Sequence, residues 1–413
     1  MSGESGNRSI RKEQLALYGG RPVRQTWLPY GRQSMDEEDI AAVLSVLRSD
    51  WITQGPKVAE FEKAFARYCG ARYAVAFSSG TASLHAACAV AGLGKGDEAI
   101  TTPLTFVATA NAVIYQGAKP VFADIDPVTL NINPEEITKR ISEKTKVVIP
   151  VHFGGLPCEM QRIREIARER NLVVIEDACH ALGAELRISD AWDRIGSCKH
   201  SDMAVFSFHP VKHITTGEGG MVTTDDPDMA KGLGLFRNHG IDSDARQRQV
   251  QGQWYYEMVT LGFNYRLTDI GCALGLSQLG RLGTNLARRR AIAERYSIAM
   301  REISGIVPSN VRHDVNPAWH LYPIRLELEK LSVGRAEVFR ALRAENIGVN
   351  VHYIPIHLHP YYQSAFGYGP GQYPVGEEAY QSLLSLPMFH GMTDGDVEDV
   401  ILAVKKVMAH YAC

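Results

Sequence analysis

"NLVVIEDAC", residues 171–179, sets four apolar side chains in a row, Leu172 to Ile175, and closes them with Glu176 and Asp177. A strand with one wet face alternates apolar and polar residues; an unbroken apolar run belongs to a strand covered on both faces, as in a mostly parallel sheet between helices. The same texture returns in "YAVAF" (73–77), "KVVIPVHF" (146–153) and "DMAVFSF" (202–208), with "PVFADI" (120–125) and "GGMVTTD" (219–225) close to it. Helical patterns lie between these runs, opening at "SSGTASLHAA" (78–87) and near "FVATANAVIYQG" (106–117). Strands alternating with helices in this way predict an α/β domain.

Working outward, Ser34 and Glu37 form an S-x-x-E capping box ahead of Ile40, Val43, Leu44 and Leu47, the spacing of an amphipathic helix. The first ~20 residues are polar and without periodicity, which predicts a loose arm. Beyond a long helical stretch that includes "NLARRRAIAERYSIAMREI" (285–303), the runs "YPIRLEL", "RAEVFRALRAENI" and "GVNVHYI" predict a smaller α+β domain. The expected division is an arm over 1–35, a large domain over 36–285 and a small C-terminal domain over 286–413.

Composition narrows the function. Lys+Arg number 44 against 46 Asp+Glu, a balance that offers no nucleic-acid surface. No apolar run is long enough to span a membrane, and the polar start lacks the apolar core of a secretory signal, so a cytoplasmic protein is expected. The 7 cysteines are odd in number, scattered and without a C-x-x-C pair, arguing against disulfides and zinc. His352, His357 and His359 in "VHYIPIHLHPYY" suggest a metal only weakly, because no acid or cysteine joins them at a metal-binding spacing; no metal is expected.

Three stretches carry chemistry. "SSGTAS" (78–83) lies where a strand ends and a helix starts, and free N–H groups there attract phosphate, although a serine-rich cap is commonplace. "GLGKG" (92–96) lacks the third glycine of a dinucleotide fingerprint and reads as a turn. Glu176 and Asp177 end a strand, where α/β proteins bind ligands, unless Asp177 merely caps the next turn. "FSFHPVKHITTGEGG" (206–220) offers Ser207 and Lys212; most lysines are simply solvated. In chain order these are a phosphate cradle, a carboxylate, a serine and an amine. Pyridoxal 5'-phosphate needs those parts: donors for its phosphate, an acid for its ring nitrogen and an amine for its aldehyde.

At these residues the chain resembles the DegT/DnrJ/StrS-type nucleotide-sugar aminotransferases. The likeness runs from "YGRQSMDEEDIAAVLSVLRSDWITQGP" through "SSGTASLHAA", "TTPLTFVATANA", "EDACHALGA", "FSFHPVKHITTGEGG" and "LGFNYRLTDIGCALGLSQL" to "NVHYIPIHLHPYY". It implies the fold type I architecture of aspartate aminotransferase, a pyridoxal phosphate enzyme and a homodimer with shared sites. By the same resemblance, Lys212 matches the Schiff-base lysine and Asp177 the partner of the pyridine nitrogen. Ser207, Gly80 and Thr81 match phosphate ligands, Phe106 an aromatic ring stacked on the cofactor, and His180 a residue near its phenolic oxygen. Asn264 matches a residue that reaches the neighbouring subunit's cofactor phosphate.

Some relatives carry histidine in place of the lysine and act as dehydratases, and His213 adjoins Lys212. The spacing of "FSFHPVK" from Ser207 keeps Lys212 in the lysine position. "SDWITQGP", "GSCKHSDMAVFSFHPVKHITTGEGG" and "WHLYPI" resemble most the members that aminate C4 of a UDP-linked 4-keto-6-deoxy sugar, with glutamate as donor, in pseudaminic acid biosynthesis. Tyr30, Arg237, His352 and Tyr353 are the candidates to read the substrate, with ordinary packing as the alternative for each. The competing functions are an aminotransferase for another nucleotide-linked keto sugar, a cofactor-dependent dehydratase and a non-enzymatic ligand sensor. Lys212 argues against the dehydratase, and the complete set of cofactor residues and the lack of a helix-turn-helix argue against the sensor.

Overall fold

A computed structural model describes residues 14–188, 191–243, 248 and 252–413. Its strands run β1 (Tyr73–Phe77), β2 (Glu98–Thr101), β3 (Lys119–Phe122), β4 (Thr145–Ile149) and β5 (Val173–Asp177), then a hairpin of β6 (Glu185–Ile188) and β7 (Ala191–Arg194). β8 (Met203–Ser207) and β9 (Gly220–Thr224) follow. Seven of them form the central sheet in the order β1-β9-β8-β5-β4-β2-β3. From β3 to β8 every neighbour is parallel, and β9 alone is antiparallel, to both β1 and β8.

The expected two-sided burial is present. Side chains alternate along β8, so Met203 and Val205 join one core with Phe77, Ile175 and Val222, while Ala204 and Phe206 join another with Phe61, Phe65 and Met221. The helix Gly80–Val90 covers the first face beside β8 and β9, and Pro56–Cys69 covers the second beside β1. All five residues of β9 are buried, which is why its sequence reads like its parallel neighbours.

A second, antiparallel sheet holds β10 (Ile306–Pro308), β12 (Tyr322–Leu326) and β13 (Leu383–Leu386) in the order β10-β12-β13; the short β11 (Val315–Asn316) pairs with β6 instead. Its core draws on the helices Leu282–Arg301 and Asp394–Tyr411.

Two local expectations are corrected. The helix Glu37–Leu47 is capped by Asp36 and Asp39 rather than by Ser34 and Glu37. Both aspartates also pair with Arg281. The loose arm does not extend to residue 20 either: Leu15 is buried in the second sheet's core, and Glu345 accepts from the N–H groups of Ala16 (2.9 Å) and Val23 (2.8 Å). Residues 1–13 lie outside the described residues. Among the described residues no helix is long and apolar enough to cross a membrane.

Candidate active site

The carboxyl ends of β5 and β8 meet the start of the helix Gly80–Val90. Successive strand residues face opposite ways, so Glu176 and Asp177 part company. Glu176 turns into the protein, where His152 Nε2–H donates to it at 2.8 Å and Ser201 Oγ–H donates to its other oxygen. Asp177 is presented at the strand end, 5% exposed. Thr109 Oγ1–H donates to its Oδ2 at 2.7 Å and the Cys179 N–H to its Oδ1 at 3.2 Å. That hydroxyl in turn lies 3.1 Å from Thr105 Oγ1. Two donors therefore fix the direction of one carboxylate.

At the helix start Ser79 is the cap, accepting from the Ala82 N–H at 3.1 Å, and Gly80 and Thr81 form the first turn. A Cβ on Gly80 would fall 2.8 Å from the Cβ of Ser207, so glycine alone lets the helix end approach β8.

Between β8 and β9 the chain loops out, its neck closed by the Phe208 N–H donating to Gly219 O at 2.8 Å. Lys212 sits in that loop with Nζ 3.4 Å from His320 Nε2. His213 turns the other way, and its Nε2–H donates to Ala318 O at 3.0 Å. The register that separates an amine from an imidazole in the site is thus held by a buried hydrogen bond behind it.

These groups line one cleft of about 550 Å³ that holds Tyr30, Gly80, Thr81, Phe106, Asp177, His180, Ser207, Lys212, His352 and Tyr353. Tyr353 OH lies 3.1 Å from His180 Nε2, its ring 6.1 Å from that of Phe106. His352 contacts Ser385 Oγ at 2.9 Å. Burial pulls the Lys212 ammonium below its ordinary range, Arg289 pushes the same way, and Asp177 opposes them. Burial also holds His180 and His320 well below the usual imidazole range and takes His352 down to about 3.

Two expected residues stand elsewhere. Arg237 does not face the cleft: its guanidinium pairs with Glu62 and donates to Ala76 O at 2.8 Å, lining a separate hollow with Arg266. Its position in a loop-like motif gave no hint of that acid, supplied by the distant helix Pro56–Cys69. Asn264 is exposed and bridges to Asn238, outside this chain's own cleft. The histidine cluster is split, His352 lining the cleft while His357 Nε2 contacts Glu377 at 2.9 Å. Sequence reasoning missed Thr109, Thr105 and His320. The i, i+4 threonines of "TFVAT" and the histidine of "WHLYPI" were the available signals.

The arrangement fits pyridoxal phosphate. The N-terminal turn at Gly80 and Thr81 with Ser207 would hold the phosphate, Asp177 the ring nitrogen and Lys212 the aldehyde carbon. The glycine contact with Ser207 is the specific support, since any side chain there would fill the cradle.

Comparison with known proteins agrees. The sequence profile described as the DegT/DnrJ/EryC1/StrS aminotransferase family matches residues 33–405. The spore coat polysaccharide biosynthesis protein SpsC of Bacillus subtilis is 44% identical over 387 residues, 93% of this chain and 98% of that protein. Among solved structures, PseC of Helicobacter pylori, an aminotransferase of pseudaminic acid biosynthesis, superposes with a TM-score of 0.85 at 30% identity, covering 94% of this chain and all of that one. Spr1654 of Streptococcus pneumoniae, solved in PLP and PMP forms, gives a TM-score of 0.85 at 30–31% identity over 93% of this chain and 99% of its own.

Proposed function

Because the chain belongs to the DegT/DnrJ/EryC1/StrS aminotransferase family, whose members work with pyridoxal phosphate, we propose that it moves the amino group of glutamate to C4 of a UDP-linked 4-keto-6-deoxy sugar. The product on this reading is UDP-4-amino-4,6-dideoxy-N-acetyl-β-L-altrosamine, an intermediate of pseudaminic acid biosynthesis, made in the cytoplasm. The convergence of Lys212, Asp177 and Ser207 with the helix start at Gly80 in one cleft carries the pyridoxal phosphate part of this reading, and the likeness to PseC supports the choice of sugar.

When bound, the cofactor supplies a carbon that takes up amines and a ring that accepts the electrons left behind by a departing proton. The chain's residues do the rest. Gly80, Thr81 and Ser207 anchor the phosphate. Asp177, its direction fixed by Thr109 and the Cys179 N–H, keeps the ring nitrogen protonated. Lys212 would hold or release a proton at Nζ, and its desolvation favours the neutral amine that a base requires. Phe106 and Tyr353 offer aromatic surface across the cleft mouth, with Tyr30 and His352 beside them to read the sugar.

A homodimer belongs to the reading. Trp254, Met258 and Leu261 are 83%, 66% and 73% exposed, close in sequence to Asn264, and an apolar surface of that kind calls for cover.

A second reading is kept by SpsC, which is named for polysaccharide biosynthesis: a different nucleotide-linked keto sugar is the acceptor. Incubation with glutamate and a panel of UDP- and dTDP-linked 4-keto sugars decides between them, with the amino sugar identified by mass spectrometry and NMR. Turnover of a dTDP sugar alone would overturn the first reading. Glutamate on its own should release one 2-oxoglutarate per site before any sugar is added; a requirement for both substrates would rule out two half-reactions.

A further inference from the structure

Arg289, on the helix Leu282–Arg301, is only 1% exposed, and no carboxylate among the described residues pairs with it. A guanidinium buried without a counter-ion is expensive, so its position needs a reason. Its Nη1 donates to Trp319 O at 3.0 Å, His320 O at 3.4 Å and Met388 O at 3.0 Å, while its Nε has no partner.

The turn it grips is strained. Trp319 has a φ of +52°, in the left-handed region that a bulky residue avoids. The same turn is held from the other side, where the Ala318 and Leu321 N–H groups donate to Gly155 O at 3.0 Å and Gly154 O at 3.1 Å. Gly155 has no room for a side chain, since a Cβ there would lie 2.6 Å from His180 O and 2.9 Å from Trp319 N. His213 adds a third hold through Ala318 O. All of this delivers one imidazole: His320, 4% exposed, its ring 4.4 Å from that of His180 and its Nε2 3.4 Å from Lys212 Nζ.

We propose that His320 orients the Lys212 amine throughout the proton transfers, and that Arg289 is the positioning residue that keeps His320 in place. The inference rests on the role of Lys212 proposed above. His320 Nδ1 is buried and has no hydrogen-bond partner, and with the ring's proton placed there a lone pair is presented at Nε2, the nitrogen that faces Lys212. That lone pair accepts an N–H from the Lys212 ammonium and equally from the amine, so the amine's own lone pair stays aimed into the cleft. The proton travels between Lys212 and substrate, and His320 gains or loses none. An imidazolium could only donate, and the contact with the ammonium would fail. Burial above all keeps the ring neutral, with the charge of Lys212 in front, the neighbouring His180 and His213, and Arg289 on its helix adding to it. Around Lys212 itself stand Asp177 and Cys179 after β5, His180, His213, His320, His352 and Arg289, and Asp177 is the acid among them.

The test uses the full chain. In the cofactor-free protein, competitive acetylation of Lys212 with acetic anhydride across pH, followed by peptide mass spectrometry, reads its titration without any turnover. In the holoenzyme the glutamate half-reaction is followed separately. His320→Phe should lower kcat about 10²-fold with little change in KM, and His320→Gln, whose carbonyl oxygen can accept the same N–H, should recover about tenfold. Arg289→Met should move the Lys212 titration up, whereas Arg289→Lys, which keeps the charge, should leave it low while still lowering kcat. Wild-type kcat in His320→Phe overturns the proposal. A kcat loss in both Arg289 variants with the titration unmoved in Arg289→Met overturns the part given to its charge. An active Lys212→Ala protein would instead defeat the underlying role of Lys212, a separate result.

Discussion

Gly80 and Ser207 stand so close that a Cβ on Gly80 would lie 2.8 Å from the Cβ of Ser207 and 3.1 Å from its Oγ. Strand end and helix start are pressed together at the point where the phosphate would be held, and nothing flexible there can give way. Gly80→Ala is expected to cost about 1–3 kcal/mol in stability and to weaken pyridoxal phosphate binding at least tenfold. A fluorescence titration of the cofactor-free variant checks this, and wild-type affinity would show that the cradle is elsewhere.

Lys212→Ala should abolish the visible absorbance that marks cofactor linked to the chain, and lower turnover by about 10³-fold or more. Spectrum and rate should fall together. A variant that kept the normal rate would remove Lys212 from the chemistry.

Asp177→Asn should leave the cofactor bound but slow the glutamate half-reaction by about 10²–10³-fold, because an amide does not hold a proton on the ring nitrogen. Thr109→Val removes only the hydroxyl that donates to Oδ2 at 2.7 Å. Its expected loss is nearer tenfold. Single-turnover absorbance measurements rank the two, and the reverse order would contradict the role given to Asp177.

Acid should destabilise this fold through its neutral histidines. His352 is held at about 3 by burial and by Lys212, so between that value and the ordinary imidazole value near 6.5 the unfolded chain binds a proton that the folded chain refuses. Stability therefore rises with pH in that window and is lost as pH falls, by about 1.4 kcal/mol per pH unit for each such group. Denaturant titrations from pH 7 to 4.5 should show the decline, and His352→Asn should make it shallower. An unchanged slope would place the proton uptake at other groups.

The exposed stretch around Trp254 and Leu261 should vanish into a dimer interface. Leu261→Asp is expected to shift sedimentation toward monomer and to reduce activity with it. A fully active monomer would refute the shared site.

Much of this was legible from the chain because β5 and β8 are covered on both faces, and two covers leave an unbroken apolar run. The direction of β9 was not legible, since full burial looks alike in either sense. Asp177 and Ser207 at strand ends and Lys212 in the loop after β8 could be picked out locally as candidates, and the family resemblance gave them their roles. His320 and Arg289 could not, because they matter only through contacts with residues far away in sequence. The ion pair of Arg237 was hidden for the same reason: Glu62, its partner, lies far away in sequence. At the helix Glu37–Leu47 the cap lies two residues beyond the expected Ser34 and Glu37, and its aspartates pair with Arg281, far away in sequence.

The placing of β9 between β1 and β8 has a consequence for how the protein is made. β1 touches no other strand of its sheet, so during synthesis the first strand to emerge waits without a neighbour until residues Gly220–Thr224 have left the ribosome. A nascent chain halted near residue 200 has neither β8 nor β9, and the helix start at Gly80 has nothing to press against. Contacts this distant in sequence form late and slowly. The cleft proposed for pyridoxal phosphate is thus incomplete in a half-made protein, and on that reading the cofactor would be captured only after the sheet is complete.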